Sequence, residues 1–135
     1  MPGWKPPAFG SPCWLSIPAT NVPRAKSFYE TVFNWSWTTV EKYSEDDFAF
    51  FKFPEEAHAS IGGSIEKVDA AVHTKGKNGV KLYFIVEDQE KTAEAIVKNG
   101  GVKLGEPEPE GDHGFITPFE DSEGNHMGIY ASKKA

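Results

Sequence analysis

The chain has 135 residues and a formal net charge of −6 at pH 7, and its length suits one compact domain. Ten phenylalanines, four tryptophans and four tyrosines supply enough apolar bulk for a core, which excludes a disordered chain. Acidic residues outnumber basic ones by 20 to 14, and Arg24 is the only arginine, which argues against a nucleic-acid partner and against binding to anionic membranes.

Residues 1–11 are rich in proline, glycine and serine, so we expect an N-terminal arm outside the core. This segment lacks the apolar region of a secretory signal, and the longest apolar run, at 82–86, is far shorter than the roughly 20 residues that span a bilayer. The single cysteine, Cys13, excludes an internal disulfide and a cysteine-based zinc site, and we expect it to be buried. These features predict a cytoplasmic protein with no membrane partner.

The first half of the chain predicts one helix among four strands. A short apolar strand at 13–17 places Trp14 and Ser16 on one face, because side chains alternate along a strand. Asn21 is a good N-cap for the helix that follows, in which apolar residues recur at helical spacing for about three turns. Three further strands are predicted at residues 35–41, 47–53 and 58–65.

The second half repeats this order after a polar connection. A strand at 81–86 leads to Asp88, the second N-cap candidate, and the helix behind it stops at the glycine pair 100–101. The acidic segment 106–110 contains two prolines, so we expect a solvated loop there. Three more strands are predicted at residues 102–104, 114–119 and 126–130.

The repeated order predicts an internal duplication. We assign two tandem βαβββ modules, at about 12–66 and 80–132, to a single domain at 12–132 of the α+β class, with a tail at 133–135. A helix covers one face of each predicted sheet, so the other face must find a partner or enclose something. We therefore expect a curved mixed sheet around one cavity.

Several motifs in this order resemble one protein family. They are Trp14-Leu-Ser-Ile-Pro-Ala-Thr-Asn21, the pair Gly62-Gly63, Tyr83-Phe-Ile-Val-Glu-Asp88, and Phe119-Glu-Asp-Ser-Glu-Gly-Asn125. The chain resembles the vicinal oxygen chelate superfamily, which includes glyoxalase I, bleomycin-resistance proteins, fosfomycin-resistance enzymes and extradiol dioxygenases. The resemblance covers residues 10–132 and implies a homodimer, as in many single-domain members.

The resemblance also identifies where a metal would bind. Metal-using members place His, Glu or Gln on four strands that face the cavity. Three of these positions are Trp14, Lys81 and Gly128 here, and the nearest match to the fourth is the pair Gly62-Gly63. An indole, an ammonium group and a missing side chain are not metal ligands at neutral pH. We therefore predict no metal at this site and no cofactor.

Other cavity-facing side chains could bind a molecule or carry out chemistry. His126 is the candidate general acid or base, because an imidazole exchanges protons near neutrality. Lys81 could act as a general base or Schiff-base nucleophile if it is desolvated. The predicted ligand-binding residues are Trp14, Ser16, Phe51, Tyr83 and Tyr130.

Three functions remain open at this point. The first is a metal-independent small-molecule binding protein, for which an aromatic lining favours a small hydrophobic or aromatic partner. The second is a cofactor-free isomerase, lyase or cyclase that acts on an aromatic or polyketide-like metabolite. The third is a metal-dependent lyase or dioxygenase with relocated ligands, drawn from His58, His113, Glu120 and His126.

Overall fold

The computed structural model of the chain describes Phe9 and residues 12–54, 62–75 and 80–132. Most of the predicted arm at 1–11, and the tail at 133–135, lie outside the described residues. The first module consists of β1 (Trp14–Ala19), α1 (Val22–Phe33), β2 (Ser36–Thr38), β3 (Phe48–Lys52) and β4 (Gly62–Lys67).

The second module follows the same plan with one extra strand. Its elements are β5 (Tyr83–Ile85), α2 (Gln89–Lys98), β6 (Val102–Lys103), β7 (Glu108–Glu110), β8 (Gly114–Glu120) and β9 (His126–Ser132). The α+β class and the two βαβββ modules are confirmed. The expectation of a loop at 106–110 is wrong in part, because β7 pairs antiparallel with β8. A strand at a sheet edge tolerates Pro109, since the missing N–H can face away from the ladder.

Each module builds its own mixed sheet. The strand order is β1-β4-β3-β2 in the first sheet and β5-β9-β8-β6 in the second, with β7 also on β8. In both sheets the first strand runs parallel to the last, which sets Trp14 opposite Gly62 and Tyr83 opposite Gly128.

Both predicted helix starts are present. The side chain of Asn21 accepts a hydrogen bond from the backbone N–H of Arg24 at 3.0 Å, and that of Asp88 accepts one from Lys91 at 3.1 Å. These caps satisfy amide groups that have no partner inside the helix. None of the helices in the described ranges is long and apolar enough to cross a bilayer.

Helix α1 lies between the two sheets, and α2 packs on the second sheet and against α1. Tyr29 on α1 stacks on Trp35 with ring centroids 4.3 Å apart, and Phe33 on the same helix lies 4.6 Å from Phe84 of the second sheet. Helix α1 carries large apolar side chains on more than one side, and burying them requires a sheet on each side. One core therefore joins both modules.

This packing turns the uncovered face of each sheet, called here its open face, away from the other. The described residues form two mixed sheets. One pocket lies beside Phe48 and Phe50 of the first sheet, and another lies beside Tyr83 and His126 of the second.

The turn between β8 and β9 is clamped to the start of α1 by one carboxylate. The side chain of Glu123 has no exposed surface and accepts hydrogen bonds from the backbone N–H groups of Thr20 at 2.9 Å and Asn21 at 3.1 Å. The guanidinium of Arg24 donates to it through Nε at 2.7 Å. A negative charge at a helix N-terminus is favourable because the unpaired N–H groups point toward it.

Asp121 adds a second contact between the modules. Its buried carboxylate accepts a hydrogen bond from the Tyr29 hydroxyl at 2.6 Å and from the backbone N–H of Glu123 at 2.8 Å. Burial raises the pKa of Asp121 above its ordinary value, despite these hydrogen bonds. Burial, together with the neighbouring charge of Asp121, raises the pKa of Tyr29 well above its usual value, so the phenol stays a donor.

The ionisation of Glu123 follows from its partners. Burial acts to raise the pKa of Glu123, but the hydrogen bonds from Arg24 and the backbone of Asn21 outweigh it, and the pKa lies below its ordinary value. The carboxylate is therefore charged at neutral pH, where the clamp is complete.

Replacing Glu123 by glutamine should lower the free energy of unfolding at pH 7 by about 1–3 kcal/mol, measured by urea denaturation. Stability is lost because the backbone N–H groups at the start of the helix lose part of their hydrogen bonding to the Glu123 side chain. Arg24 adds less to the loss, because its side chain is half exposed and water can hydrate its charge. The control is Glu106→Gln, because the Lys103–Glu106 ion pair is exposed and its loss should change stability by less than about 0.5 kcal/mol.

The wild type and the Glu123→Gln variant also test the ionisation of Glu123. The folded-state pKa of Glu123 lies below its unfolded value, so its contribution is complete above pH 4.5 and is lost as pH falls through the folded pKa. The stability gap between the wild type and Glu123→Gln should therefore narrow on acidification. A stability difference that widens on acidification would contradict the lowered pKa of Glu123.

Candidate functional site

The open face of the first sheet carries Trp14. Its side chain is 54% exposed, whereas Ile17 is buried and Leu15 packs against the core, so the predicted alternation along β1 is confirmed. The indole N–H of Trp14 donates to Ser64 Oγ at 3.3 Å, and its ring lies 6.3 Å from that of Phe50. The hydrogen bond thus holds the indole in place, and the exposed part of its ring is open to a ligand.

Aromatic side chains continue along this face. Phe48 and Phe50 are stacked with centroids 6.0 Å apart, and Tyr43 lies 4.8 Å from Phe48. We call Trp14, Phe50, Phe48 and Tyr43 the aromatic row. A pocket of about 220 Å³ opens beside Tyr43, at the end of the row near Lys26.

A small polar group lies next to the row. Ser16 Oγ and Ser64 Oγ both donate to Glu66 Oε2, each at 2.7 Å. Ser16 is among the residues predicted from the sequence, whereas Glu66 is not. Alternation along β4 places Glu66 on the same face as Ser64. That pattern alone does not bring Glu66 near Ser16, because the contact depends on the pairing of β4 with β1.

The predicted placement of Phe51 on the open face is wrong. Phe51 is 3% exposed and its ring centroid lies 4.5 Å from that of Trp35, inside the core. A Cβ on Gly63, which is opposite Phe51 on β4, would lie 2.3 Å from the phenyl Cζ. The missing side chain of Gly63 thus provides the space that directs Phe51 inward, and Phe50 takes the outward position.

The open face of the second sheet brings together three predicted residues. Lys81, Tyr83 and His126 line one pocket of about 290 Å³. His126 Nε2 lies 3.3 Å from Glu120 Oε2, and both side chains are largely covered. The ring of Tyr83 occupies the space above Gly128, where an added Cβ would lie 2.5 Å from the ring. These groups combine an aromatic wall with residues able to move protons.

The other sequence candidates lie elsewhere. Tyr130 is half-buried with its hydroxyl over Gly114; it is opposite Ile116, which lines that pocket, but Tyr130 is not itself among the lining residues. Cys13 is exposed, so the expectation that it is buried is wrong; it comes just before β1 begins. His113 is exposed in the turn before β8, and His58 lies outside the described residues.

The positions that would hold a metal do not fit one. The indole N–H of Trp14 donates to Ser64, and the ring of Tyr83 covers Gly128, so neither place offers a lone pair with room for an ion. Within the described ranges, no three His, Cys, Asp or Glu side chains converge on one point. That no metal binds here stays a prediction.

Comparisons with known proteins agree with this architecture. A family model for the glyoxalase-like domain matches residues 14–130. A glyoxylase-like domain-containing protein from Didymella fabae is 34% identical over 125 residues, which cover 85% of this chain and 88% of the relative.

Solved structures share the fold at low identity. A crystal structure of a glyoxalase/bleomycin resistance protein/dioxygenase family enzyme from Burkholderia phytofirmans is 16% identical, with a TM-score of 0.69 over 89% of this chain and 97% of that one. The fosfomycin resistance protein FosX from Mesorhizobium loti is also 16% identical, with a TM-score of 0.63 over 93% of both chains.

The assignment of faces in β3 can be tested by two alanine substitutions. Phe51→Ala should lower the free energy of unfolding by about 3–5 kcal/mol, because it leaves a cavity in the core. Phe50→Ala, one residue away on the half-buried open face, should cost only about 1 kcal/mol. Urea denaturation of both variants measures the difference. Equal losses, or a larger loss for Phe50→Ala, would contradict the assignment.

Proposed function

The chain belongs to the glyoxalase-like domain family of the vicinal oxygen chelate superfamily, and from this premise we propose that it is a metal-independent small-molecule binding protein with an aromatic-lined site. The observation that carries the proposal is the position of Trp14. It stands where metal-using relatives have a ligand, and its exposed ring offers a stacking surface instead.

The aromatic row favours a flat ligand. The rings of Trp14 and Phe50 are tilted by 60°, so a planar molecule laid on the indole would meet Phe50 edge-on. Each such aromatic pair is worth about 0.5–1.5 kcal/mol beyond the apolar area that it buries. A small chelating acid would find no cluster of three metal-ligating side chains among the described residues. The ligand class is therefore a small aromatic or hydrophobic molecule.

Each open face supplies only one side of such a site. We therefore extend the proposal to a homodimer, in which the aromatic row of one copy faces the pocket of Lys81 and His126 on the other. The second open face also exposes Tyr83 (55%) and Ile85 (76%), and apolar groups exposed together on a sheet face favour association.

A single charge on the second face tests the dimer. We expect light scattering at tens of micromolar to give twice the chain mass for the wild type and the monomer mass for Ile85→Asp, because a buried, unpaired carboxylate is costly. The control is Val97→Asp on α2, which is similarly exposed but lies outside both open faces and should leave the mass unchanged. A monomeric wild type would contradict the dimer.

A second candidate function rests on His126. Its contact with Glu120 orients the imidazole toward a pocket that also contains Lys81, an arrangement suited to proton transfer without a cofactor. The chain would then be an isomerase, lyase or cyclase. A binding protein would release its bound molecule unchanged, whereas an enzyme would release a product. Mass spectrometry of the released molecule distinguishes the two.

Replacing Trp14 tests the main proposal. With 2-(2-naphthyl)ethanol as a planar probe, Trp14→Ala should bind at least tenfold more weakly than the wild type in calorimetric titration, because stacking and apolar contact are lost. Trp14→Phe should keep part of the affinity. The control is Val97→Ala, whose side chain is as exposed as that of Trp14 but lies on α2. Equal affinity for Trp14→Ala and the wild type would remove Trp14 from the site.

A further inference from the structure

Glu66 on the first open face is held with half of its carboxylate free. The hydroxyls of Ser16 and Ser64 both donate to the same oxygen, Oε2, at 2.7 Å. Among the described residues, no hydrogen bond reaches Oε1. Two hydroxyls on one oxygen fix the orientation of the group, and the other oxygen remains an acceptor for something outside the chain.

Glu66 makes no ion pair with any residue in the described part of the chain. The ion pairs there join Arg24 to Glu123, Lys103 to Glu106, and His126 to Glu120. None of them includes Glu66, which is half-buried on the sheet face. A half-buried carboxylate that makes no ion pair favours a cation in its vicinity.

The aromatic row reinforces the same preference. Phe48 is directly opposite Glu66 across the β3–β4 ladder, and Phe50 is opposite Ser64. The faces of aromatic rings are electronegative and attract cations. At the outer end of the row, the ammonium of Lys42 already lies 5.9 Å from the ring centroid of Tyr43. The rings and the carboxylate thus select for the same sign of charge.

We infer that this face binds a planar molecule that bears a cationic nitrogen, an ammonium or a guanidinium, with its ring on Trp14, its edge against Phe50 and its charge at Glu66. The inference rests on the proposed function and narrows it to one class of ligand. The free Oε1 accepts the N–H of the cation, and the rings around it exclude water from one side of the pair. An anionic analogue meets repulsion from the same groups.

A charge series of one ring system tests the inference. The probes are 2-(2-naphthyl)ethylamine, 2-(2-naphthyl)ethanol and 2-naphthylacetate, which are cationic, neutral and anionic at pH 7. We expect the wild-type protein to bind the amine at least tenfold more tightly than the alcohol, and the acetate most weakly. Calorimetric titration gives the affinities, and the NMR signal of the Trp14 indole N–H reports binding at this face.

The matched variant is Glu66→Gln, in which an amide oxygen still accepts from Ser16 and Ser64 while the charge is removed. The amine and the alcohol should then bind within about threefold of each other, because the charge that distinguishes them has no partner left at this position. The control is Glu94→Gln, an exposed carboxylate on α2, which should keep the tenfold preference. Thermal unfolding of each variant checks the fold.

The outcomes separate this inference from the proposed function. If the alcohol binds through Trp14 as tightly as the amine, or if Glu66→Gln keeps the preference, the cationic ligand is wrong and the aromatic site stands. If no probe binds or shifts the Trp14 signal, both fail. If Glu66→Gln instead dissociates a dimer, a second copy uses the charge, and the inference is overturned.

Discussion

A buried carboxylate at the β8–β9 turn fixes how the two modules meet. Apolar packing in the shared core has little directional preference, whereas the hydrogen bonds from Thr20, Asn21 and Arg24 to Glu123 are directional. Strand β9 begins three residues after Glu123 with His126. The position of that imidazole, and of the pocket it lines, therefore depends on a charge that belongs to the start of the other module's helix.

Helix α1 determines where the two candidate surfaces lie. Tyr29 stacks on Trp35 of the first module and Phe33 contacts Phe84 of the second sheet, so the helix is a layer shared by both modules rather than a cover for one. The aromatic row and the pocket of Lys81 and His126 consequently lie on opposite sides of the chain. A ligand that needs both surfaces requires a second copy, and this links the proposed binding function to self-association.

The sequence predicts this fold well where a local signal decides the structure. The caps at Asn21 and Asp88 and the alternation of β1 each depend on a few neighbouring residues. Phe51 could not be placed this way, because β3 carries phenylalanines on both faces and the space above Gly63 decides between them. Glu66 was missed for a similar reason: its role depends on serines brought near it by strand pairing.

Strand β7 restricts how copies of the chain can associate. It is exposed along its whole length, with a carboxylate on either side of Pro109, and proline has no N–H to offer an added strand. Extension of the second sheet by edge-to-edge pairing is therefore blocked along β7 by charge and by the missing donor. This protects the chain from open-ended aggregation through that edge, even though its apolar sheet faces are exposed.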